Sequence, residues 1–334
     1  LEELARVYGY NRLPVTHIHA DLVMPARPET QMSPRNVRRH LGARGYREAI
    51  TYSFVDPAMQ KVFDPTVEPI AVSNPISADM AVMRTSLMPG LVGAVLRNTN
   101  RQQPRVRMYE TGLRFVPGQG GMDTLRQVPT LAMVVTGSRF GESWSSDSAA
   151  ADFFDLKGDL ESLLDLTGHP ESLSFEPGQR AALHPGQTAM ITRKGQQIGY
   201  IGALHPAVNA ELGLNSALYV CEIDLQEVLV ASLPEFTELS RFPEVRRDIA
   251  VIVDKSTSAA KLMLTVKSAA GAYLADLRLI DVYEGKGIDP KRKSLALGLT
   301  FRDQSRTLSD DDVNLAMDQV IDSLENNYKA ELRN

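Results

Sequence analysis

The stretch from Asp248 to Arg333 constrains the fold more than any other, because its hydrophobic period switches between two and 3.6 in an order that few topologies accept. Asp248–Val253 alternates like a strand, and Ser258 to Ala270 then carries apolar residues at helical spacing. Two further strands follow, Leu277–Tyr283 and Ser294–Arg302, joined by a loop rich in Gly, Pro and Lys. Ser309, with Asp312 three residues on, predicts the N-terminal cap of a helix carrying Val313, Ala316, Met317, Val320, Ile321 and Leu324. Tyr328–Arg333 supplies a last strand. The order βαββαβ is the ferredoxin-like split.

The preceding chain is mixed. Residues 1–30 read as the end of one unit plus a linker: Leu1, Leu4, Ala5 and Tyr8 keep helical spacing until Gly9 and Asn11, and Pro14, Pro25 and Pro28 break any longer helix. Residues 31–235 form a second unit. Ser33-Pro34 opens a helix that ends near Gly45, and helices are expected again at Met88–Asn100 and Phe154–Leu166. Strands are expected at Ala49–Phe54, Ile70–Ala71, Arg105–Phe115, Leu131–Gly137, Gln187–Arg193, Gln197–Leu204 and Ala217–Asp224. Helices mixed with mainly antiparallel strands define an α+β module rather than a doubly wound one. Residues 240–333 are the third unit.

Composition excludes several classes. With 43% apolar and 23% charged residues the chain is globular. Its lone cysteine, Cys221, sits in an apolar alternation and has no intramolecular disulfide partner. No apolar run reaches the ~20 residues of a membrane span, and Leu1-Glu2-Glu3-Leu4 has no signal-peptide head. Starting without Met and in a helical pattern, the chain is expected to be a fragment of a longer, cytoplasmic protein. The net charge of −5 hides an asymmetry. From Arg241 to Arg306 there are thirteen Lys/Arg against eight Asp/Glu, and from Thr307 onward two against seven. A basic front on the last unit fits contact with RNA.

Catalytic signatures are missing from the sequence. It holds no G-x-x-x-x-G-K-[ST], no G-x-G-x-x-G after a strand and no G-x-S-x-G. His17 and His19 in the linker lack the further ligands a metal needs, and the His184-Pro185-Gly186 and His205-Pro206 segments read as turns.

Longer motifs carry a resemblance. Ser240-Arg241-Phe242-Pro243, Val245-Arg246-Arg247-Asp248-Ile249-Ala250, Asp281-Val282-Tyr283, Gly285-Lys286-Gly287, Lys293-Ser294-Leu295-Ala296 and Arg306-Thr307-Leu308 occur in the order and spacing of a known anticodon-binding domain. Upstream, Glu2 to Asn11, Thr51-Tyr52-Ser53-Phe54, Asn74-Pro75, Met83-Arg84-Thr85-Ser86-Leu87 and Phe154-Asp155-Leu156-Lys157-Gly158 continue the similarity. The chain resembles the C-terminal part of bacterial phenylalanyl-tRNA synthetase β subunits over essentially its whole length.

That resemblance implies a division of labour. Residues 31–235 would be a class II synthetase-like antiparallel-sheet module without chemistry of its own, scaffolding an α subunit that uses ATP to activate phenylalanine. Two αβ pairs would form a heterotetramer. Arg107-Met108-Tyr109-Glu110 superficially resembles the phosphate-binding arginine motif of such cores, but the G-x-G-x-x-R motif is missing: Gly285-Lys286-Gly287 reaches Pro290 where Arg is needed. The family places Mg²⁺ on paired glutamates, matched by Glu2 and Glu3, and on aspartates expected upstream of residue 1. Anticodon contact in tRNA(Phe) is assigned to positions matching Asp281, Tyr283 and Ser294, with Tyr283 as a stacking face. Arg246, Arg247, Lys286, Lys291, Arg292 and Lys293 would meet phosphates. The competing readings are a free-standing ferredoxin-like RNA-binding or regulatory protein, and an independent ligase acting through Arg107 and Glu110.

Overall fold

The computed structural model describes residues 1–17, 19–21, 28–118, 121–169, 172–236 and 238–333; Pro25, expected to break the linker, lies outside them. Contacts divide the chain into two compact units, Leu1–Pro234 and Glu235–Asn334.

The N-terminal unit contains α1 (Glu2–Tyr8), α2 (Pro34–Ala43), β1 (Arg47–Glu48), β2 (Phe54–Val55), α3 (Pro57–Phe63), β3 (Val82–Met83) and α4 (Met88–Thr99). These are followed by β4 (Val106–Gly118), β5 (Gly121–Thr136), α5 (Phe153–Asp165), β6 (Leu173–Pro177), β7 (Leu183–Arg193) and β8 (Gln196–Leu204). Next come α6 (Pro206–Glu211), β9 (Leu218–Asp224) and α7 (Leu225–Leu229). Seven strands form one sheet in the order β1-β4-β5-β9-β8-β7-β6, antiparallel except for β1 beside β4.

Both faces of this sheet are covered, and β5 shows how. Leu131, Met133 and Val135 enter the cluster built with Val37 and Leu41 of α2 and Leu156, Leu160, Leu163 and Leu164 of α5. Ala132 and Val134 point the other way, into the cluster with Phe63 of α3 and Leu91, Val92 and Val95 of α4. A strand buried on both sides reads as an unbroken apolar run, and Leu131–Val135 is one. Capping fixes the helix starts: Ser33 accepts from the Arg35 N–H ahead of Pro34, and Asp152 forms a capping box with Asp155 on α5.

Three expected elements differ, and of the strand expected at Ile70–Ala71 only an isolated bridge from Ala71 to Val82 forms. The ladder of β4 and β5 runs on from Val106↔Thr136 to Gly118↔Gly121, well past the expected strands. Pro129 hides this extension in the sequence. It pairs with Leu113 beyond the end of the β9 ladder at Thr130, where its missing N–H has no second strand to serve. Ala49–Phe54 is not one strand; between β1 and β2 the segment is pinned by Thr51, whose hydroxyl donates to Glu110 Oε2 at 2.7 Å.

The C-terminal unit follows the expected order: β10 (Val245–Asp254), α8 (Ala259–Ala270), β11 (Leu274–Tyr283), β12 (Arg292–Phe301), α9 (Asp310–Tyr328) and β13 (Glu331–Leu332). Its sheet order is β11-β12-β10-β13. Val251, Val253, Leu277, Leu295, Leu297, Leu299 and Phe301 pack beneath Leu262 and Val266 of α8 and Val313, Val320 and Leu324 of α9. The Ser309–Asp312 capping box is present, with Ser309 Oγ accepting from the Asp312 N–H.

Candidate nucleic-acid interface

Strand alternation decides which side chains share a face. On β12 the odd positions 295–301 enter the helix-packed core, so the even positions face away from α8 and α9. Register carries this across the sheet. Ser294 lies opposite both Tyr283 and Ile252, and Ala296 lies opposite both Asp281 and Ala250. A bulge between Leu279 and Asp281 restores the phase on β11, so Asp281 and Tyr283 share the helix-free face with Ser294.

Within that face the three differ in access. Asp281 is exposed and Tyr283 half-buried, whereas Ser294 is 3% exposed. Tyr283 is held firmly: its hydroxyl donates to the Lys286 carbonyl at 3.2 Å, and a Cβ at Gly285 would come within 2.8 Å of that oxygen. Glycine at 285 therefore lets the loop close over the ring edge. The other face of the geometry is supplied from the far edge strand, where the Arg333 guanidinium carbon lies 4.8 Å from the Tyr283 ring centroid.

The six expected phosphate contacts separate into groups. Arg246 lies on the helix-free face, paired with Asp248 at 3.0 Å. Lys286 and Lys291 are exposed in the loop between β11 and β12. Arg247 lies opposite Leu299, on the helix side, and pairs with Asp310 at the start of α9 at 3.1 Å. Lys293 lies opposite Val253 on that same side and is half-buried. Arg292 ties down the last strand, donating to the carbonyls of Ile252 and Lys329 at 2.8 and 3.1 Å and pairing with Glu331. The sheet thus brings Arg246 to the face with Asp281, Tyr283 and Ser294 and leaves Arg247 and Lys293 off it. Sequence reasoning missed Arg278 and Arg302, which with Arg246, Asp276 and Glu244 line a cleft of about 370 Å³ on the β10–β12 surface.

The N-terminal unit buries the residues on which independent ligase chemistry would depend. Arg107 donates to Asp159 Oδ2 at 2.7 Å, and Asp159 also accepts from Tyr46 at 2.7 Å and from Arg44. Burial first, then the Asp159 charge, holds the Tyr46 phenol well above its ordinary range. Glu110 pairs with Arg84 at 2.7 Å, both almost wholly buried. Gly112 makes room for that pair, because a Cβ there would stand 2.4 Å from Arg84 Nη2. Three residues apart on one strand, Arg107 and Glu110 point to opposite faces. They cannot converge on one substrate.

Glu2 and Glu3 are exposed on α1, and Glu3 pairs with Arg6 at 2.7 Å. Adjacent helical residues diverge, and among the described residues no three His, Cys, Asp or Glu side chains cluster as metal ligands. These two glutamates by themselves do not fit a Mg²⁺ site. Cys221 is fully buried, and burial pushes its thiol well above the usual range. Among the described residues no helix is long and apolar enough to cross a membrane.

Comparison with known proteins follows the same division. A family model described as the phenylalanyl tRNA synthetase beta chain CLM domain matches residues 13–225, and one described as a ferredoxin-fold anticodon binding domain matches residues 240–333. The phenylalanine–tRNA ligase β subunits of Pseudomonas fluorescens and Pseudomonas syringae pv. tomato are each 53% identical over 333 residues, covering 100% of this chain and 42% of theirs. That of Colwellia psychrerythraea is 44% identical, with 41% of its length covered. The chain therefore spans about two fifths of the length of the curated relatives it matches. Among solved structures, PylSc, a pyrrolysyl-tRNA synthetase of Desulfitobacterium hafniense, overlaps 58% of this chain and 63% of its own. That overlap has a TM-score of 0.44 at 12% identity and is too loose to carry an argument.

The class these findings define is an α+β protein ending in a ferredoxin-fold anticodon-binding domain. More narrowly, the chain belongs to the phenylalanyl-tRNA synthetase β-chain family.

Proposed function

We propose that this chain serves phenylalanine–tRNA ligase as part of its non-catalytic β subunit, binding the anticodon of tRNA(Phe) and scaffolding the catalytic α subunit. The observation that carries the reading is the helix-free face of the C-terminal sheet, which sets Asp281, Tyr283, Ser294 and Arg246 together in a unit that matches the anticodon-binding family model. Single-stranded RNA is read on such surfaces by stacking unpaired bases on aromatic rings and satisfying their edges with polar groups. Tyr283 offers the ring, Asp281 and Ser294 the hydrogen bonds, and Arg246, Lys286 and Lys291 the charge. Arg247, Arg292 and Lys293 would reach phosphates only from the margins of this face.

The N-terminal unit fits a class II synthetase-like module that works as a scaffold. Its sheet is antiparallel apart from β1, and Arg107 and Glu110 are consumed in separate buried ion pairs. ATP would be used by the α subunit, and the functional enzyme would hold two αβ pairs. Any Mg²⁺ would need ligands in addition to Glu2 and Glu3. The reading places the work in the cytoplasm, where aminoacylation occurs.

Tyr283→Ala tests the proposal. In an intact αβ enzyme it is expected to weaken tRNA(Phe) binding by roughly 1–3 kcal/mol, the worth of one base–aromatic stack. Aminoacylation at limiting tRNA reports it, and an unchanged efficiency would sink the assignment.

A further inference from the structure

Between the end of β5 at Thr136 and the start of α5 at Phe153, the chain turns back on itself as a short arm over residues 138–150. Its base is an antiparallel bridge of Ser138 with Ala150, flanked by bonds from the Arg139 N–H to the Ala149 carbonyl at 2.8 Å and from the Ala151 N–H to the Gly137 carbonyl at 2.9 Å. Guanidinium groups clamp that base. Arg105 donates to the carbonyls of Ser138 and Arg139 at 3.1 and 3.2 Å, and Arg107 also donates to the Arg139 carbonyl. Arg139 itself pairs with Asp155 at 2.9 Å and Asp152 at 3.3 Å. At the tip, Ser146 Oγ donates to the Gly141 carbonyl at 3.1 Å and closes a turn. That turn presents Trp144, the only tryptophan of the chain, at 99% exposure. Phe140, between base and tip along the chain, is exposed as well. Tryptophan is among the side chains that anchor interfaces by filling a desolvated pocket.

Beside the arm's base lies a cleft of about 250 Å³, lined by Gly137, Ser138, Ser148, Ala150, Ser216 and Ala217. No charged side chain lines it. Its size falls below the roughly 300–1,000 Å³ of small-molecule sites, so it suits one inserted side chain better than a ligand. The arm is also charged unevenly along its length. Glu142 and Asp147 at the tip form no ion pair among the described residues, while Arg105 and Arg139 stand at the base and Arg105 meets only carbonyls there. An arm acidic at one end and basic at the other complements its own reverse.

We propose that this arm is a self-association site: two copies of the chain lay their arms antiparallel about a two-fold axis, and each Trp144 fills the cleft at the base of the other arm. The two-fold sets the acidic tip of one arm on Arg105 and Arg139 of the other, twice over, as an isologous contact requires. A different partner would have to supply both a pocket for Trp144 and an anchor for the cleft, and a second copy brings both. Two Trp144 and two Phe140 rings would bury about 600–1,000 Å² in all. That is the area of a weak, reversible contact rather than of an obligate dimer. The site lies wholly within the N-terminal unit and does not depend on the RNA-binding reading.

Sedimentation of the full chain over a dilution series tests this, with tryptophan emission read on the same samples because Trp144 is the sole reporter. The expected result is a reversible monomer–dimer equilibrium in which emission moves to shorter wavelength as dimer forms. Trp144→Ala is expected to weaken association roughly 30-fold or more, as loss of an interface hot spot does. Ala217→Leu, which fills the cleft and leaves the tip intact, is expected to weaken it similarly and to keep the long-wavelength emission of the dilute chain. Mixing the two variants pairs an intact tip with an intact cleft and is expected to restore part of the blue shift. A chain that stays monomeric with long-wavelength emission at every concentration overturns the proposal. Association that both variants leave unchanged overturns it too, placing the dimer contact elsewhere. A blue shift already present in the monomer would mean that Trp144 folds back within its own chain, and one produced only by an added catalytic α subunit would give the arm another partner; either result overturns self-association. Thermal melting of each variant separates these outcomes from loss of fold.

Discussion

Glu110 and Arg84 form an ion pair with side chains 3% and 4% exposed, sealed beneath Gly112 and shared with the Thr51 hydroxyl. Removing one partner strands the other charge without water, which costs more than the pair contributes. Glu110→Ala is therefore expected to lower the unfolding free energy by about 3–5 kcal/mol. Replacing both residues by apolar ones of similar volume should recover most of that loss, and urea titration of the three proteins compares them. A loss below about 1 kcal/mol in the single variant would mean that water reaches Arg84. The pair also shows what a motif match leaves open. Arg107 and Glu110 look like a catalytic constellation in sequence, yet their spacing of three sends them to opposite faces of β4 and into different ion pairs.

At the scale of elements, α9 depends on its first turn. Asp312 accepts from Arg306, whose two bonds are its main electrostatic partner, and from Ser309 at 2.7 Å. Together they hold its carboxyl well below the ordinary carboxylate value of 3.8. A depressed folded-state value means the stabilisation is complete above the unfolded value and fades as pH falls toward the folded one. Asp312→Asn is therefore expected to lower the melting temperature at neutral pH. The gap to wild type should narrow progressively as pH drops below about 4. Melting curves across that range decide it, and a gap independent of pH would place the effect in packing instead. This helix was legible in advance, since Ser309 and Asp312 stand at capping-box spacing ahead of an apolar stripe. The outer extension of the β4–β5 hairpin was not. It carries Pro129, and beyond strand pairing it is held by Arg84, whose carbonyl accepts from the Phe115 N–H and whose Nε donates to the Leu113 carbonyl.

At the scale of the molecule, each unit has its own apolar core. Residues 235–334 close theirs with Phe301, Leu297 and Leu299 beneath α8 and α9. A segment of that kind is expected to fold by itself. Expressed alone, residues 235–334 should give a single cooperative unfolding transition with native far-UV circular dichroism. A gradual, non-cooperative melt would show that the core is incomplete without the rest of the chain.

What the sequence determined by itself was everything local in origin: the βαββαβ order, the Ser309–Asp312 capping box, the apolar run of a doubly buried strand, and the spacing that puts Asp281 and Tyr283 on one side of β11. These follow from periodicity and near-neighbour hydrogen bonds, which a linear chain displays. Register was decided only in three dimensions. Pairing across β10 and β12 sent Arg247 and Lys293 to the helix side, sank Ser294 between Tyr283 and Ile252, and tied Arg292 to the last strand. It also carried Arg333 across the sheet to Tyr283, a meeting of residues fifty positions apart. Side-chain direction along a strand alternates with every residue, so a single step of register reverses which face a charge serves. That choice is made by the core packing of the whole unit, and no short stretch of sequence contains it.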